Sequence, residues 1–183
     1  GEESLRATPI PPRRADGFLL GASLESAQLA AQLDWNFVFA AHLNGDKQLL
    51  REVLTRWREL SRRDAIIAVQ VIVAEEAAAA AALAKSVEAW GVELENGQRV
   101  TVGSEAQAAA FARQAGSRPT RIARRESAVL FGTPEQVKAQ LDALQSAWNI
   151  DEFIIDTPIS DGAARLNSLR LLARAHLSAE VQP

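Results

Sequence analysis

Two serines three residues apart, Ser23 and Ser26, follow a short apolar run that ends in Gly21 and Ala22. Residues 17–21 (GFLLG) suit a buried strand. Residues 23–33 (SLESAQLAAQL) suit a helix, with Leu24, Ala27, Ala30 and Ala31 on one stripe. The serines would then stand on the first turn of a helix. That turn carries unpaired N–H groups and the positive end of the helix dipole. Small residues at 21 and 22 let an anion approach the backbone, and hydroxyls at 23 and 26 can point at one anion, as in a phosphate cradle. The same pattern has a plainer use, because serine at position 23 is also a good helix N-cap.

His42 is the other residue placed for chemistry, just after an apolar run at 37–41 (FVFAA). At the end of a buried strand it can make a polar contact or donate a proton; it can equally order a loop or cap a helix. Asp156 and Thr157 close the last apolar run, where they could line a pocket, cap a helix or order a loop. Arg118, Arg121, Arg124 and Arg125 form the one basic cluster, within reach of a phosphate or part of a solvated link. His176 reads as structural. Two distant histidines and no cysteine leave no metal-ligand pattern and no disulfide framework. No dinucleotide, P-loop or nucleophile-elbow motif is present.

The 183 residues suit one domain, and 48% of them are hydrophobic, enough for a real core. Twenty basic and 23 acidic residues give a net charge of −3, which argues against general nucleic-acid binding. No apolar stretch approaches a membrane span and no signal-peptide pattern opens the chain, so a cytoplasmic protein is the expectation.

The elements that would position these residues alternate. Residues 1–16 are a Pro- and Arg-rich lead-in. Residues 17–90 read as three strand–helix units: 17–21 with 23–33, 37–41 with 46–60, and 65–74 (AIIAVQVIVA) with an Ala-rich helix over 75–90 stopped by Gly91. The second helix carries Leu49, Leu50, Val53, Leu54, Trp57 and Leu60 on one face. The third strand is a continuous apolar run, as expected when both faces are covered. Residues 91–126 form an insertion: a hairpin turning at Asn96–Gly97 as a two-residue type I′ turn, a helix over 104–115 opened by a capping box of Ser104 and Gln107, and a basic irregular link over 117–126. The hairpin is a lid or an inert surface excursion. Residues 127–177 complete the pattern with a short extended piece, a helix over 133–147 capped by Thr133, a strand over 152–157 and a helix over 163–176. Leu166, Leu169 and Leu172 would form the inner side of that last helix. Residues 178–183 are a tail. Four strand–helix units imply a parallel sheet with right-handed crossovers, either open and doubly wound or half of an eight-stranded barrel.

Residues 19–43 (LLGASLESAQLAAQLDWNFVFAAHL) resemble the luciferase-like flavin-dependent monooxygenases, whose members carry a segment like LGSS–SAxLAA–GLP–FAFAxHF. The similarity continues in ATPIPP of the lead-in, in FGTPEQVKAQLDAL over 131–144 and in DEFIIDTPISDGAARLNSLRLLA over 151–173, in the right order over nearly the whole chain. Two departures from the pattern stand out. Asp34-Trp35-Asn36 replaces Gly-Leu-Pro, and Ala22 stands for the first serine of LGSS. The resemblance implies an α/β fold of the (β/α)8 TIM-barrel type, with this chain supplying the second half, strands five to eight. It implies FMN at the carboxyl ends of the strands, its phosphate held by Gly21, Ala22, Ser23 and Ser26, with His42 facing the flavin or substrate. The implied activity is oxidation of a small organic substrate with O2 and reduced flavin, with a flavin reductase as partner and a homodimer as the assembly. The alternative is a non-catalytic flavin-binding or half-barrel scaffold protein.

Overall fold

The computed structural model describes residues 12–13, 15–41, 46–125, 127–150 and 152–180. The chain order is β1 (Phe18–Gly21), α1 (Leu24–Gln32), β2 (Asn36–Ala40), α2 (Lys47–Ser61), β3 (Ile66–Val73), α3 (Ala77–Lys85), β4 (Ala89–Leu94), β5 (Arg99–Val102), α4 (Glu105–Gln114), β6 (Pro119–Arg125), β7 (Leu130–Gly132), α5 (Pro134–Trp148), β8 (Phe153–Asp156) and α6 (Gly162–Glu180). The lead-in over 1–16 falls largely outside the described residues, and so does His42.

β1, β2, β3 and β8 are parallel neighbours in that order, the arrangement expected of successive strand–helix units. β3 is the centre, with seven of its eight residues buried: Ile67, Val69, Val71 and Val73 lie under the helices, and on the other face Ile72 packs with Val129 and Ile159. Alternate residues of a strand point their N–H and C=O groups to the same edge. Ala41 N–H donates to Ala68 O and Ala74 N–H donates to Gly132 O, so β2 and β7 lie end to end along one edge of β3. Ile67 N–H donates to the Glu152 carbonyl on the other edge, where β8 pairs. Beyond the end of β8 the Val73 N–H on that edge donates to Ser168 Oγ of α6, a buried bond of 2.8 Å.

One face of the sheet carries the main core. Phe37, Phe39, Ile67, Val69, Val71 and Val73 meet Ala27 and Ala30 of α1, Val53, Leu54 and Trp57 of α2, Val137 of α5 and Leu171 of α6. The rings of Phe37 and Trp57 lie 5.6 Å apart. Arg58 fixes α2 against α5 by donating to the carbonyls of Trp148 and Asn149, at 2.6 and 2.7 Å. On the opposite face Val38, Ile66 and Ala68 are buried, whereas the flanking Phe18, Leu20 and Ile154 are 53%, 56% and 43% exposed. Among the described residues, β1 and β8 each pair on one edge alone.

The insertion folds as a unit. β5, β4 and β6 make an antiparallel sheet, and Val92 and Leu94 pack with Ala108 and Ala112 of α4 in a core of their own. Several sequence expectations are corrected here. The Ala-rich helix ends at Lys85, and the chain enters β4 at Ala89, because Ala89–Leu94 is needed to pair both β5 and β6. The basic link is strand β6, held to β4 by ladder bonds that its arginine-rich composition conceals. The hairpin loop has three residues, Glu95–Gly97. Gly97 N–H bonds back to Leu94 O, Leu94 N–H bonds to Gln98 O, and Gly97 alone takes a positive φ, +83°. This is a type I turn followed by a left-handed bulge residue, not a type I′ turn. Ser104 caps α4, but Gln107 accepts from Gly103 N–H, one residue outside a true capping box. Leu166 and Leu169 of α6 are exposed, as is Leu60 of α2; Leu171, with Leu172 partly buried beside it, faces the core.

Candidate functional site

β1 delivers Gly21 to the carboxyl edge of the sheet, opposite Phe39, and the chain turns at once into α1. Ser23 is the N-cap, with extended backbone (φ −143°, ψ 163°). Its Oγ accepts from Ser26 N–H at 3.2 Å, and Ser26 Oγ accepts in return from Ser23 N–H at 3.1 Å. Ser26 Oγ also donates to the Ser23 carbonyl at 2.8 Å, and the two hydroxyl oxygens stand 3.3 Å apart. The serines are thus brought together as the spacing suggests, and they form a reciprocal capping box. A Cβ on Gly21 would collide with the Ser26 side chain, so glycine is what lets β1 and the first turn of α1 approach so closely.

A third residue joins this turn that sequence inspection passed over. The Glu25 carboxyl is held below its usual range, first by its own backbone N–H and then by the Ser23 hydroxyl. An internal carboxylate therefore sits where an external anion would bind. The signal for it was present: an acidic residue in the first turn next to a serine N-cap complements the helix dipole. α5 begins in the same way. Thr133 Oγ1 donates to Glu135 at 2.9 Å, Gln136 closes a capping box, and the Glu135 carboxyl is likewise lowered by its own N–H and by Thr133.

The second gathering of polar groups lies between β3 and β8. Gln70 and Asp156 are register partners on the sheet face opposite the helices, and Gln70 Nε2 donates to Asp156 Oδ2 at 2.9 Å. Gln70 lines an open cavity of about 400 Å³ whose other walls include Pro158 and Ser160 after β8 and Glu88, Ala89 and Thr101 of the insertion. None of Gly21, Ala22, Ser23 and Ser26 lines it. Asp156 was visible as a candidate in the sequence; Gln70 was hidden inside an otherwise apolar run. Thr157 is buried, and its Oγ1 has no hydrogen-bond partner among the described residues.

The arginines of β6 are exposed. Arg124 lies 3.7 Å from Glu88, and the Arg125 side chain occupies the space that a Cβ on Gly91 would need. Among the described residues no cluster of three or more His, Cys, Asp or Glu side chains could hold a metal ion, and no helix is long and apolar enough to cross a membrane. The described site residues comprise donors at a helix start and acceptors beside a cavity. That is equipment for binding and orienting, the part a protein supplies when a cofactor carries the reaction.

No family model matches the chain. The N-acetyl-S-alkylcysteine monooxygenase of Bacillus subtilis (strain 168) is 33% identical over 181 residues, which cover 97% of this chain and 54% of that protein. The chain spans about half the length of the curated relatives it matches. Among solved structures, apo-MsnO8 superposes with a TM-score of 0.64 at 22% identity, over 100% of this chain and 56% of that one. The oxygenating constituent of 3,6-diketocamphane monooxygenase, from the CAM plasmid of Pseudomonas putida, was solved in complex with FMN. It superposes with a TM-score of 0.57 at 16% identity, over 91% of this chain and 48% of that one.

Proposed function

We propose that the chain is part of a luciferase-like monooxygenase, that it binds reduced FMN and that it serves the oxidation of a small organic substrate by O2. The observation that carries the proposal is the turn from Gly21 to Ser26. A strand ends, two small residues follow, and a helix opens with two serine hydroxyls 3.3 Å apart at its positive end. These residues fit a phosphate monoester. The first-turn amides and the hydroxyls are donors, and Gly21 keeps the approach free of a side chain.

Bound there, the flavin would supply the electrons and activate the oxygen. The chain's own residues do the rest. Ser23 and Ser26 exchange part of their mutual capping for bonds to the phosphate, and the Glu25 carboxylate must swing off the Ser23 hydroxyl to admit it. The sheet face carrying Val38, Ile66 and Ala68 provides a dry apolar wall, which limits access of water to the reacting groups. In the same proposal β1, β2, β3 and β8 are strands five to eight of a (β/α)8 barrel. The one-sided pairing of β1 and β8 and the exposure of Phe18, Leu20 and Ile154 support this, since bare edges and apolar faces call for a cover. The role proposed for His42, which lies outside the described residues, is a contact with the flavin or the substrate. A flavin reductase as partner, a homodimer as the assembly and the cytoplasm as the setting complete the proposal.

The test is FMN affinity, read from quenching of flavin fluorescence. Charge-assisted bonds contribute roughly 1.5–3 kcal/mol each, so Ser23→Ala and Ser26→Ala should each weaken binding about tenfold or more. Either change also removes part of the capping box, so helix content by circular dichroism is followed alongside. Glu25→Gln, which removes the competing carboxylate, should tighten binding by about fivefold or less at physiological salt. Unchanged affinity in both serine variants and in the double variant would place the phosphate elsewhere.

A further inference from the structure

The sheet face that carries Val38, Ala40, Ile66, Ala68 and Ile154 is apolar until its carboxyl end, where Gln70 and Asp156 stand side by side. A carboxylate only accepts hydrogen bonds, so the bond to Asp156 orients the Gln70 amide: Nε2 faces Asp156 and Oε1 is left as an acceptor. Gln70 opens into the 400 Å³ cavity, with Asp156 beside it outside the wall, and the one ionisable group among the lining residues is Glu88, again an acceptor. Glu88 is already engaged by Trp90 Nε1 at 3.1 Å and by Arg124 at 3.7 Å. An acceptor held in place beside two carboxylates selects against anions and for hydrogen-bond donors.

We infer that this cavity takes the donor group of an uncharged substrate, an amide N–H or a hydroxyl, with Gln70 Oε1 as the accepting atom and Asp156 as the residue that positions it. The inference rests on the proposed monooxygenase function and specifies the substrate chemistry of that same mouth. The insertion contributes the far wall through Glu88, Ala89 and Thr101, so its place above β3 and β8 is part of the recognition.

The experiment uses two neutral probes, N-acetyl-S-methylcysteine methyl ester and the same ester with its amide nitrogen methylated, which lacks the one N–H. Their binding to the purified protein is followed by NMR, including the Gln70 side-chain amide protons. The N–H ester should bind about 3- to 10-fold more tightly, the range of one hydrogen bond. Gln70→Leu should abolish that preference. Asp156→Asn should reduce it and shift the Gln70 amide signals, because an asparagine amide can face Gln70 with either its oxygen or its NH2. Should Gln70→Leu fail to fold, Asp156→Asn carries the test by itself. Equal affinity for the two esters, no binding of either, or an undiminished preference in Gln70→Leu overturns the inference. An undiminished preference in Asp156→Asn also overturns it, since the inference makes Asp156 the residue that holds Gln70 Oε1 in place. FMN quenching in the same samples separates the two ideas: flavin binding without ester discrimination leaves the monooxygenase proposal standing alone, and discrimination without flavin binding does the reverse.

Discussion

Ser168→Ala tests how the mouth of the sheet is held. Ser168 is 2% exposed, and its Oγ is the acceptor for the Val73 N–H at 2.8 Å. β8 pairs β3 no further than Gln70, so the edge of β3 beyond that point is completed by α6 at this position. Removing the hydroxyl strands a buried backbone donor, at a cost of about 1–3 kcal/mol. Alanine returns about 0.5 kcal/mol through its better helix propensity. The net loss is then about 1.5 kcal/mol. For a domain of this size each kcal/mol lowers Tm by about 2–4 °C, so a drop of about 3–6 °C is expected. Urea denaturation should show a lower midpoint at unchanged slope. Amide exchange at Val73 should quicken more than at residues of β1. Ser86→Ala is the control, since its exposed hydroxyl donates to the Leu83 carbonyl and its loss should stay within about 0.5 kcal/mol. A Ser168→Ala loss no larger than the control would refute the idea that α6 clamps the end of β3.

Gly97→Val should destabilise the insertion, because a β-branched residue is forced to a φ near +83°; the strain is on the order of 1–3 kcal/mol. The insertion has its own core, so signals from β4 to β6 should broaden or move in an NMR spectrum while those of β1 to β3 stay; a change spread evenly over both sheets would contradict that independence. The Glu25 and Glu135 carboxyls are held below their usual values in the folded state, so their contribution to stability is present above the ordinary glutamate pKa of about 4.3 and is lost as pH falls through the lowered folded values. Comparing wild type with the Glu25→Gln, Glu135→Gln double variant by urea denaturation, the wild-type advantage seen at pH 7 should vanish at strongly acid pH. A gap that widens on acidification would reverse the sign and refute the assignment.

The strand–helix frame was legible because burial decides it. The run from Ile66 to Val73 needs cover on both faces, and helices spaced like α1 and α2 provide it on one. The cap at Thr133 was legible for a local reason, since its hydrogen bonds reach only three residues along the chain. What was hidden depends on partners distant in sequence. β6 is exposed along most of its length and rich in arginine, so only its pairing with β4 makes it a strand. The hairpin turn depends on contacts beyond the Asn96-Gly97 pair: Asn96 N–H bonds to Ser117 Oγ and Glu95 N–H to the Arg118 carbonyl, which favours the longer loop. Leu166 and Leu169 fit the helical period as well as Leu172 does; α6 is turned so that Ser168 and Leu171 face inward. Gln70 reads as one polar residue in an apolar strand, and its meaning rests on Asp156, 86 positions further on.

The two polar gatherings lie at the same end of the sheet for a reason set by chain direction. In a parallel sheet every helix that follows a strand starts at the carboxyl edge, so α1 after β1, α3 after β3, α5 after β7 and α6 after β8 all turn their positive ends there. Anion affinity is therefore general at this edge, and α1 and α5 both satisfy it internally with a glutamate. The Gly21–Ser26 turn differs by its second hydroxyl, Ser26, where the α5 turn carries Gln136; a glycine precedes both, Gly21 and Gly132, and an added Cβ at either would meet that third-position side chain. At the β3–β8 side the order is reversed, with acceptors gathered against the general positive bias of the edge. Under the two proposals, a negatively charged cofactor end and an uncharged donor-bearing substrate would be directed to opposite sides of one mouth, with the apolar strands β2 and β3 between them. Such a separation would orient the two molecules by complementary means, donors at the start of α1 and acceptors on β3 and β8.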